Sequence, residues 1–289
     1  MYSTLFKIQK NIKDLILLSI VIILYKSKDY INNCINSIIN SNLYDEVLEI
    51  LIINNNPNEE YNFNNNKIQF HCMNKNIGYS KAMNFGINKT LGKYILTLNP
   101  DTILSPNTID VMLDTYKIHK NVGVVGVKVL NKDNTFQLSS IRKFPTPYIL
   151  LTKILNRFFK FIPNLYNYSN VDLKNFQDVD AISGCCMMIQ KNTFENILGF
   201  DERFFMYFED TDLCHRLINN GKRVIYNPKT SINHFKGGSL SIFEKRFVNY
   251  KFYISMFRFI KKYYFKYITF LLLILFLLIT FILQCQNIY

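Results

Sequence analysis

The first half of the chain alternates short apolar runs with amphipathic stretches, and this alternation limits the possible fold more than any other feature. Five apolar runs predict buried strands: residues 15–25, 46–54, 67–72, 93–98 and 122–130. Between them, residues 78–90 carry apolar side chains at helical spacing, and Ser105 with Pro106 predicts the start of a helix that runs to about His119. The alternation predicts an α/β fold with a mostly parallel sheet flanked by helices.

In such a sheet, ligands bind beyond the carboxyl ends of the strands. Tyr25, Asn54 and Asn99 follow three of the predicted strands at that edge. Asp101 lies just beyond, and because a carboxylate is costly to bury without a partner, it is a candidate cation ligand; a plain Asn-Pro-Asp turn is the alternative. Residues 222–228 and 230–234 predict two short strands, the second of which ends at His234, and a purely structural histidine is the alternative there. An aspartate and a neutral histidine predict a Mg²⁺ or Mn²⁺ site completed by substrate phosphates.

Residues 183–216 pass from an apolar run through an aromatic turn to a tight acidic cluster. Glu209, Asp210 and Asp212 stand at a predicted helix start, and the helix is predicted to end at Gly221. Acids at a helix start complement the helix dipole, which by itself is a sufficient structural explanation. Asp210 can in addition supply a carboxylate that abstracts a proton at the same edge of the sheet.

The C-terminal region carries much of the excess of basic residues in a chain of net charge +13. Residues 241–266 are basic and aromatic, and residues 267–283 form an uncharged apolar run near the lower length limit for a membrane span. Basic charge beside an apolar run favours lipid headgroups, so no nucleic-acid partner is expected. We predict a single C-terminal membrane helix with the catalytic bulk cytoplasmic; a buried or interfacial helix is the alternative.

Four phrases resemble, in their order, the motif set of family 2 glycosyltransferases, particularly the rhamnosyltransferase-like branch. They are NIGYSKAMNFGI (76–87), LTLNPDT (96–102), SGCCMMIQ followed by GFDERFFMYFEDTDLCHRL (183–217), and INHFKGGS (232–239). The resemblance extends over roughly residues 17–240. It implies a GT-A fold, with a nucleotide-binding donor half at about 15–130 and an acceptor half at about 131–240.

The resemblance also implies roles for individual residues. Asp101 corresponds to the final acid of the family's D-x-D element, which binds the metal, with Asn99 at the first position and His234 as a further ligand. Asp210 is implied as the general base, with Glu209 beside it. The implied donor pocket is lined by Asn76, Gly78 and Asn84.

Two positions depart from the family pattern. Asn54 stands where an aspartate usually meets the nucleotide base, and Lys26 follows Tyr25 where an asparagine is usual. An amide still accepts a hydrogen bond, but it brings no charge. These departures leave the identity of the donor's nucleotide base unassigned. They also motivate the alternative of a membrane-tethered relative that binds a nucleotide sugar without turnover.

Residues and resemblance together predict an inverting, metal-dependent transfer of one sugar. The donor is a nucleotide-diphosphate sugar, and the acceptor is a hydroxyl of a cell-envelope glycan or its lipid-linked precursor. A nucleotidyltransferase is disfavoured because no glycine-rich loop follows the first predicted strand. A two-carboxylate hydrolase is disfavoured because adjacent acids such as Glu209 and Asp210 seldom face one another across a substrate.

Overall fold

A computed structural model describes residues 17–159, 161, 165–166, 173–235 and 250–266. Within this part of the chain the strands are β1 (Leu18–Leu24), β2 (Val47–Asn54), β3 (Ile68–Cys72), β4 (Tyr94–Leu98), β5 (Thr102–Leu104), β6 (Val122–Leu130), β7 (Ile141–Arg142), β8 (Gln177–Asp178), β9 (Ala181–Ile182), β10 (Cys186–Gln190) and β11 (Arg223–His234). The helices are α1 (Lys28–Ile39), α2 (Tyr79–Lys89), α3 (Thr108–Ile118), α4 (Pro147–Phe158), α5 (Lys191–Asn196), α6 (Glu209–Asn219) and α7 (residues 250–266).

One large sheet organises the domain, with the strand order β3-β2-β1-β4-β10-β6-β11-β5 and β8 paired to β11. The group β3-β2-β1-β4 is parallel, as is the pair β6 and β11. Strand β10 runs antiparallel between β4 and β6 and so joins the two parallel groups. The predicted α/β fold with helices flanking a mostly parallel sheet is confirmed.

Apolar side chains of β1 alternate between two core clusters, one on each face of the sheet. Ile20 and Ile22 pack in the cluster that contains the apolar residues of α1 and α3. Val21 and Ile23 pack in the cluster that contains those of α2 and α6. Strand β1 is buried along its whole length because helices cover both faces, and this explains why its sequence is apolar at every position except Ser19.

The register of the sheet brings the carboxyl ends of three strands to one edge. Leu24 at the end of β1 lies opposite Asn54 at the end of β2, and Ile22 lies opposite Leu98 at the end of β4. Strand β11 pairs antiparallel with β5, and His234 lies opposite Thr102. The polar residues that follow these strands therefore meet at the same edge.

Two sequence-predicted boundaries differ from the structure. Helix α3 begins at Thr108, because the hydroxyl and the backbone N–H of Ser105 both donate to the carbonyl of Ser231, at 2.6 and 3.3 Å. Ser105 is thus held by β11 and does not cap the helix. The two short strands predicted around residues 222–234 are one strand, β11, with an irregular register between Asn227 and Ser231.

Helix α7 belongs to the folded domain, although its residues were predicted to be a juxtamembrane segment. Phe259 is fully buried in an aromatic cluster with Phe204 and Phe208. The ammonium of Lys262 lies 2.5 Å from Asp212 of α6 and 2.8 Å from Asp201. Apolar contacts and partly buried ion pairs thus fasten this helix to the start of α6, and the described fold continues beyond residue 240.

The predicted membrane helix, residues 267–283, lies outside the described residues, as do residues 236–239 of the last motif. A search of the described helices finds none that combines the length and the apolar character needed to cross a bilayer.

Replacement of Phe259 by alanine should destabilise the domain by about 3 kcal/mol, because it removes a fully buried ring and leaves a cavity beneath α6. Chemical unfolding of the protein in detergent measures this loss. Phe257 offers a matched control on the same helix, since 63% of it is exposed, and its alanine variant should change stability by less than about 0.5 kcal/mol. Equal effects of the two substitutions would show that α7 does not pack as described.

Candidate active site

Asp101 and His234 meet where β5 pairs with β11. The Nε2 of His234 lies 3.2 Å from Oδ1 of Asp101 and 3.3 Å from Nδ2 of Asn99. The backbone N–H of Phe235 donates to the carbonyl of Asp101 at 2.8 Å, which ties the end of β11 to the Asn-Pro-Asp turn. The structure therefore brings together residues from two separate motifs, Asn99 and Asp101 from one and His234 from the other.

Gln137 orients the imidazole of His234, and sequence reasoning missed this residue. Its Oε1 lies 2.9 Å from Nδ1 of His234, and both side chains are buried. An acceptor at Nδ1 fixes the proton there and leaves Nε2 directed at Asp101. Burial lowers the pKa of His234, but the neighbouring Cys185 sulfur and the Asp101 carboxylate outweigh it and raise the pKa to about 10.

The Asp101 and His234 pair fits a divalent cation. One carboxylate oxygen and one oriented imidazole nitrogen already lie side by side. The described residues contain no cluster of three or more His, Cys, Asp or Glu that could enclose a metal. A cation held by two protein ligands keeps its remaining positions for phosphate oxygens and water. Mn²⁺ accepts an imidazole nitrogen more readily than Mg²⁺, so the donor set favours Mn²⁺.

Mn²⁺ affinity should rise by about tenfold per pH unit between pH 6 and 8, because the raised pKa of His234 leaves it protonated there and the metal must displace that proton. Isothermal titration in buffers of different ionisation enthalpy should count about one proton released. The His234→Asn variant should bind Mn²⁺ more weakly and lose this dependence. A pH-independent affinity in the wild type would contradict His234 as a ligand.

Asp210 is buried, and four donors occupy its two oxygens. Oδ2 accepts from Arg142 Nη2 at 2.6 Å and from the backbone N–H of Gly184 at 2.9 Å. Oδ1 accepts from the backbone N–H and the hydroxyl of Thr211 at 2.6 and 3.1 Å. An ionised carboxylate offers about four lone-pair positions, so Asp210 is fully satisfied as an anion.

Glu209 is in a different state, although it adjoins Asp210. It is buried, and its Oε2 finds no hydrogen-bond partner within the described structure. Burial and the neighbouring charge of Asp210 raise the pKa of Glu209 to about 8. At neutral pH Glu209 is therefore mostly protonated.

Arg142 is a second residue that sequence reasoning missed in its role. It lies on β7, in the Arg-Lys-Phe-Pro-Thr-Pro phrase, and it is the cation that faces Asp210. Burial opposes its charge, but Asp210 holds the pKa of Arg142 above its usual value. No sequence signal joined residue 142 to residue 210, since the contact depends on the pairing of β7 with β9, which places Arg142 opposite Ala181.

Left-handed backbone immediately before Glu209 aims the acidic pair. Tyr207 and Phe208 have φ values of +65° and +66°, a conformation that costs bulky residues of the order of 1–3 kcal/mol each. The buried ring of Phe208 packs against Phe259 of α7 in the aromatic cluster. Packing from the C-terminal helix thus holds the turn that starts α6.

The metal side and the acid side of the site meet at two adjacent residues. The carbonyl of Cys185 accepts from the backbone N–H of Asn99 at 2.9 Å, beside Asp101. The N–H of the preceding Gly184 donates to Asp210 at 2.9 Å. The candidate metal ligands Asp101 and His234 therefore lie along the same edge of the sheet as the acids Glu209 and Asp210.

The amides predicted to line a donor pocket are engaged by the protein itself. Asn54 is fully buried, and its Nδ2 donates to the carbonyl of Glu59 at 2.8 Å. Asn76 accepts from the backbone N–H of Gly78 at 2.9 Å, and Asn84 donates to the carbonyl of Phe200 at 2.9 Å. These contacts give Asn54, Asn76 and Asn84 a role in loop shape, and their contact with the donor stays a prediction.

Tyr25 and Gly78, which were also predicted to bind the donor, differ in accessibility, since Tyr25 is exposed and Gly78 is buried against Phe205. Tyr25 follows β1 and is 47% exposed. Gly78 has a φ of +86°, and a Cβ there would lie 2.7 Å from Phe205, so a side chain at this position is excluded on two grounds.

Comparison with known proteins identifies the family. The model of glycosyl transferase family 2 matches residues 19–198, and the model of the N-terminal domain of galactosyltransferase matches residues 170–237. A low-salt glycan biosynthesis hexosyltransferase of Haloferax volcanii is 30% identical over 224 residues, which span 75% of this chain and 66% of the relative. An N-acetylglucosaminyl-diphospho-decaprenol L-rhamnosyltransferase of Mycobacterium tuberculosis is 29% identical over 178 residues, 57% of each chain. The chain thus spans less than two thirds of the length of these relatives.

The fold is shared with solved structures of low sequence identity. A crystal structure of GalNAc-T7 with UDP, GalNAc and Mn²⁺ superimposes with a TM-score of 0.59 at 12% identity, over 80% of this chain and 46% of that one. The predicted GT-A fold is confirmed. Because the family model covers more than half of the chain and the curated relatives are rhamnosyl- and hexosyltransferases, the chain belongs to glycosyltransferase family 2, in its rhamnosyltransferase-like branch.

Proposed function

We propose that the protein transfers one sugar, with inversion, from a nucleotide-diphosphate sugar to a hydroxyl of a cell-envelope glycan or its lipid-linked precursor. One observation carries the proposal: the cation-binding pair Asp101 and His234 and the acidic pair Glu209 and Asp210 meet through Gly184 and Cys185. A metal-held diphosphate and a base on one edge are what a single displacement requires.

Asp101 and His234 would hold Mn²⁺, or Mg²⁺ with lower preference. A cation held by these residues would supply positive charge to the diphosphate of the leaving group. Gln137 keeps the His234 lone pair directed at the metal position. Asn99, which contacts the same Nε2, helps to fix the ring where the family's first acid would otherwise stand.

Asp210 acts as the base in this proposal. All its lone pairs are occupied, so an acceptor hydroxyl must displace one of the four donors. Arg142, whose side chain extends from β7, is the donor to be displaced. Burial and the neighbouring charge of Asp210 raise the pKa of Glu209, which separates the roles of the two acids. Protonated Glu209 can donate a hydrogen bond from its carboxyl group.

The acceptor class and the membrane location rest on further observations. The mycobacterial relative is named for a diphospho-decaprenol acceptor. Residues 267–283 are apolar and uncharged. We propose a single C-terminal anchor with the catalytic domain on the cytoplasmic side. Removal of residues 267–289 should release the protein from membranes, and a truncated protein that still sediments with them would contradict the anchor.

The stereochemistry of the product tests the reaction type. Proton NMR of the first product formed from a panel of nucleotide sugars with a synthetic acceptor should show an anomeric configuration opposite to that of the donor. A product that retains the donor configuration would contradict single displacement with Asp210 as base. The alternative without turnover is disfavoured because Asp101, His234 and Asp210 are all present and in contact with their partners.

A further inference from the structure

We propose that the outer face of α7 and the cavity beside it bind the diphosphate headgroup and proximal tail of a prenyl-type lipid. The lipid class rests on the proposed function, since a lipid-linked acceptor needs such a carrier. Two adjoining features of the structure carry the assignment: an exposed aromatic groove for the tail and a basic cavity for the headgroup.

The aromatic groove runs along the side of α7 opposite to its buried residues. Tyr250, Tyr253 and Phe257 are each at least 60% exposed, and their spacing of three and four residues places them in one stripe. They line a groove of about 490 Å³ together with Ile254, Arg258 and Lys261. A contiguous exposed aromatic stripe beside basic residues is typical of a surface that meets lipid.

The basic cavity adjoins the groove and has a volume of about 410 Å³. It lies between α7, the start of α2 and the turn around residue 203, and its cations are Lys81, Arg203, Lys251 and Arg258. Arg258 belongs to both cavities and donates to the carbonyl of Arg203, so its guanidinium is held at the junction.

The cations of the cavity suit the phosphate oxygens of a diphosphate diester. The lining contains Lys81, Arg203, Lys251 and Arg258 but only one acid among the described residues, Glu202. Asp201, beside the cavity, pairs with Arg203 and with Lys262 of α7. A diphosphate diester carries one ionised oxygen on each phosphorus, and lysine and arginine are the usual donors to such oxygens.

The cavity is close to the acids along the chain. Phe205 lines it, and the carbonyl of Phe205 accepts from the backbone N–H of Tyr79 at 2.7 Å. Four residues further on, the same loop reaches Glu209 and Asp210. A lipid held here would keep a sugar on its diphosphate near the base, which favours the acceptor's carrier over a bulk phospholipid as the occupant.

Titration calorimetry with farnesyl diphosphate, using the full chain in neutral detergent micelles, tests the proposal. Lys81→Glu and Lys251→Glu should each weaken binding about tenfold or more, since each reverses a charge of the cavity. Lys120→Glu, an exposed lysine of the loop that follows α3, is the charge-matched control and should change nothing. Phe257→Ser should weaken binding of farnesyl diphosphate and of farnesol but leave binding of inorganic diphosphate unchanged.

Three results would overturn the assignment. Equal loss with Lys120→Glu would reduce binding to net charge. Phosphatidylglycerol that competes equally well in mixed micelles would make the surface a general anionic-lipid site. Loss of farnesyl diphosphate binding in Asp101→Ala would place the lipid in the donor site. Failure of the proposed function is separate, because it would appear as absent nucleotide binding in a protein that still binds farnesyl diphosphate.

Discussion

The Asp210→Asn variant should lose between about a hundredfold and ten-thousandfold in turnover, because the substitution removes the carboxylate that we propose as the base and that accepts from Arg142. Binding of the nucleotide should be nearly unchanged, since Asp210 contacts Arg142, Gly184 and Thr211 and none of the cation ligands. Steady-state transfer assays, together with titration of the nucleoside diphosphate, separate the two quantities.

Glu209→Gln is the matched control for this prediction. Glu209 is already mostly neutral at pH 7, so its amide preserves the charge of the pair and should cost less than about tenfold in turnover. A loss in Glu209→Gln as large as that in Asp210→Asn would mean that Glu209 is the base or shares the role.

Arg142→Met should destabilise the protein by about 3–5 kcal/mol, because it leaves the buried carboxylate of Asp210 without its cation. The limb of the profile of kcat/KM against pH that reports the titration of Glu209 should also move to higher pH. The sign follows from charge: Arg142 lowers the pKa of Glu209, so its removal raises that pKa further.

Two further variants separate the effect of Arg142 on the pH profile from its effect on stability. Arg142→Lys keeps the charge and should restore most of the pH profile. Arg142→Met combined with Asp210→Asn removes both charges and should recover stability without recovering turnover. An unchanged pH profile in Arg142→Met would limit Arg142 to a structural role.

The parallel sheet could be predicted from the sequence because local pattern determines its strands. The candidate metal ligands Asp101 and His234 could be predicted because each lies in a recognisable motif. Buried strands read as apolar runs, and an acid at the end of such a run has few structural explanations. Asp101 and His234 come together because β5 and β11 pair, and a motif resemblance could indicate that pairing. Gln137 and Arg142 carry no such signal, since their partners are separated from them by 97 and 68 residues.

The C-terminal segment shows where composition misleads. Basic and aromatic residues read as a membrane flank, yet helical spacing divides them between two surfaces. Phe259 and Tyr263 face the protein, where the Tyr263 hydroxyl donates to Asp212 at 2.7 Å. Tyr253 and Phe257 face outwards. The packing of Phe252 and Phe259 against Tyr207 and Phe208 shows that the inner face of α7 supports the turn before the acids.

The most direct test of the account is calorimetric titration of a panel of nucleoside diphosphates and nucleotide sugars into the full chain, with and without Mn²⁺, for wild type and Asp101→Ala. The account predicts that one nucleotide binds in a manner that requires Mn²⁺ and that binding disappears in Asp101→Ala. A folded wild-type protein that binds no nucleotide, or an Asp101→Ala variant that binds as tightly as wild type, would contradict it.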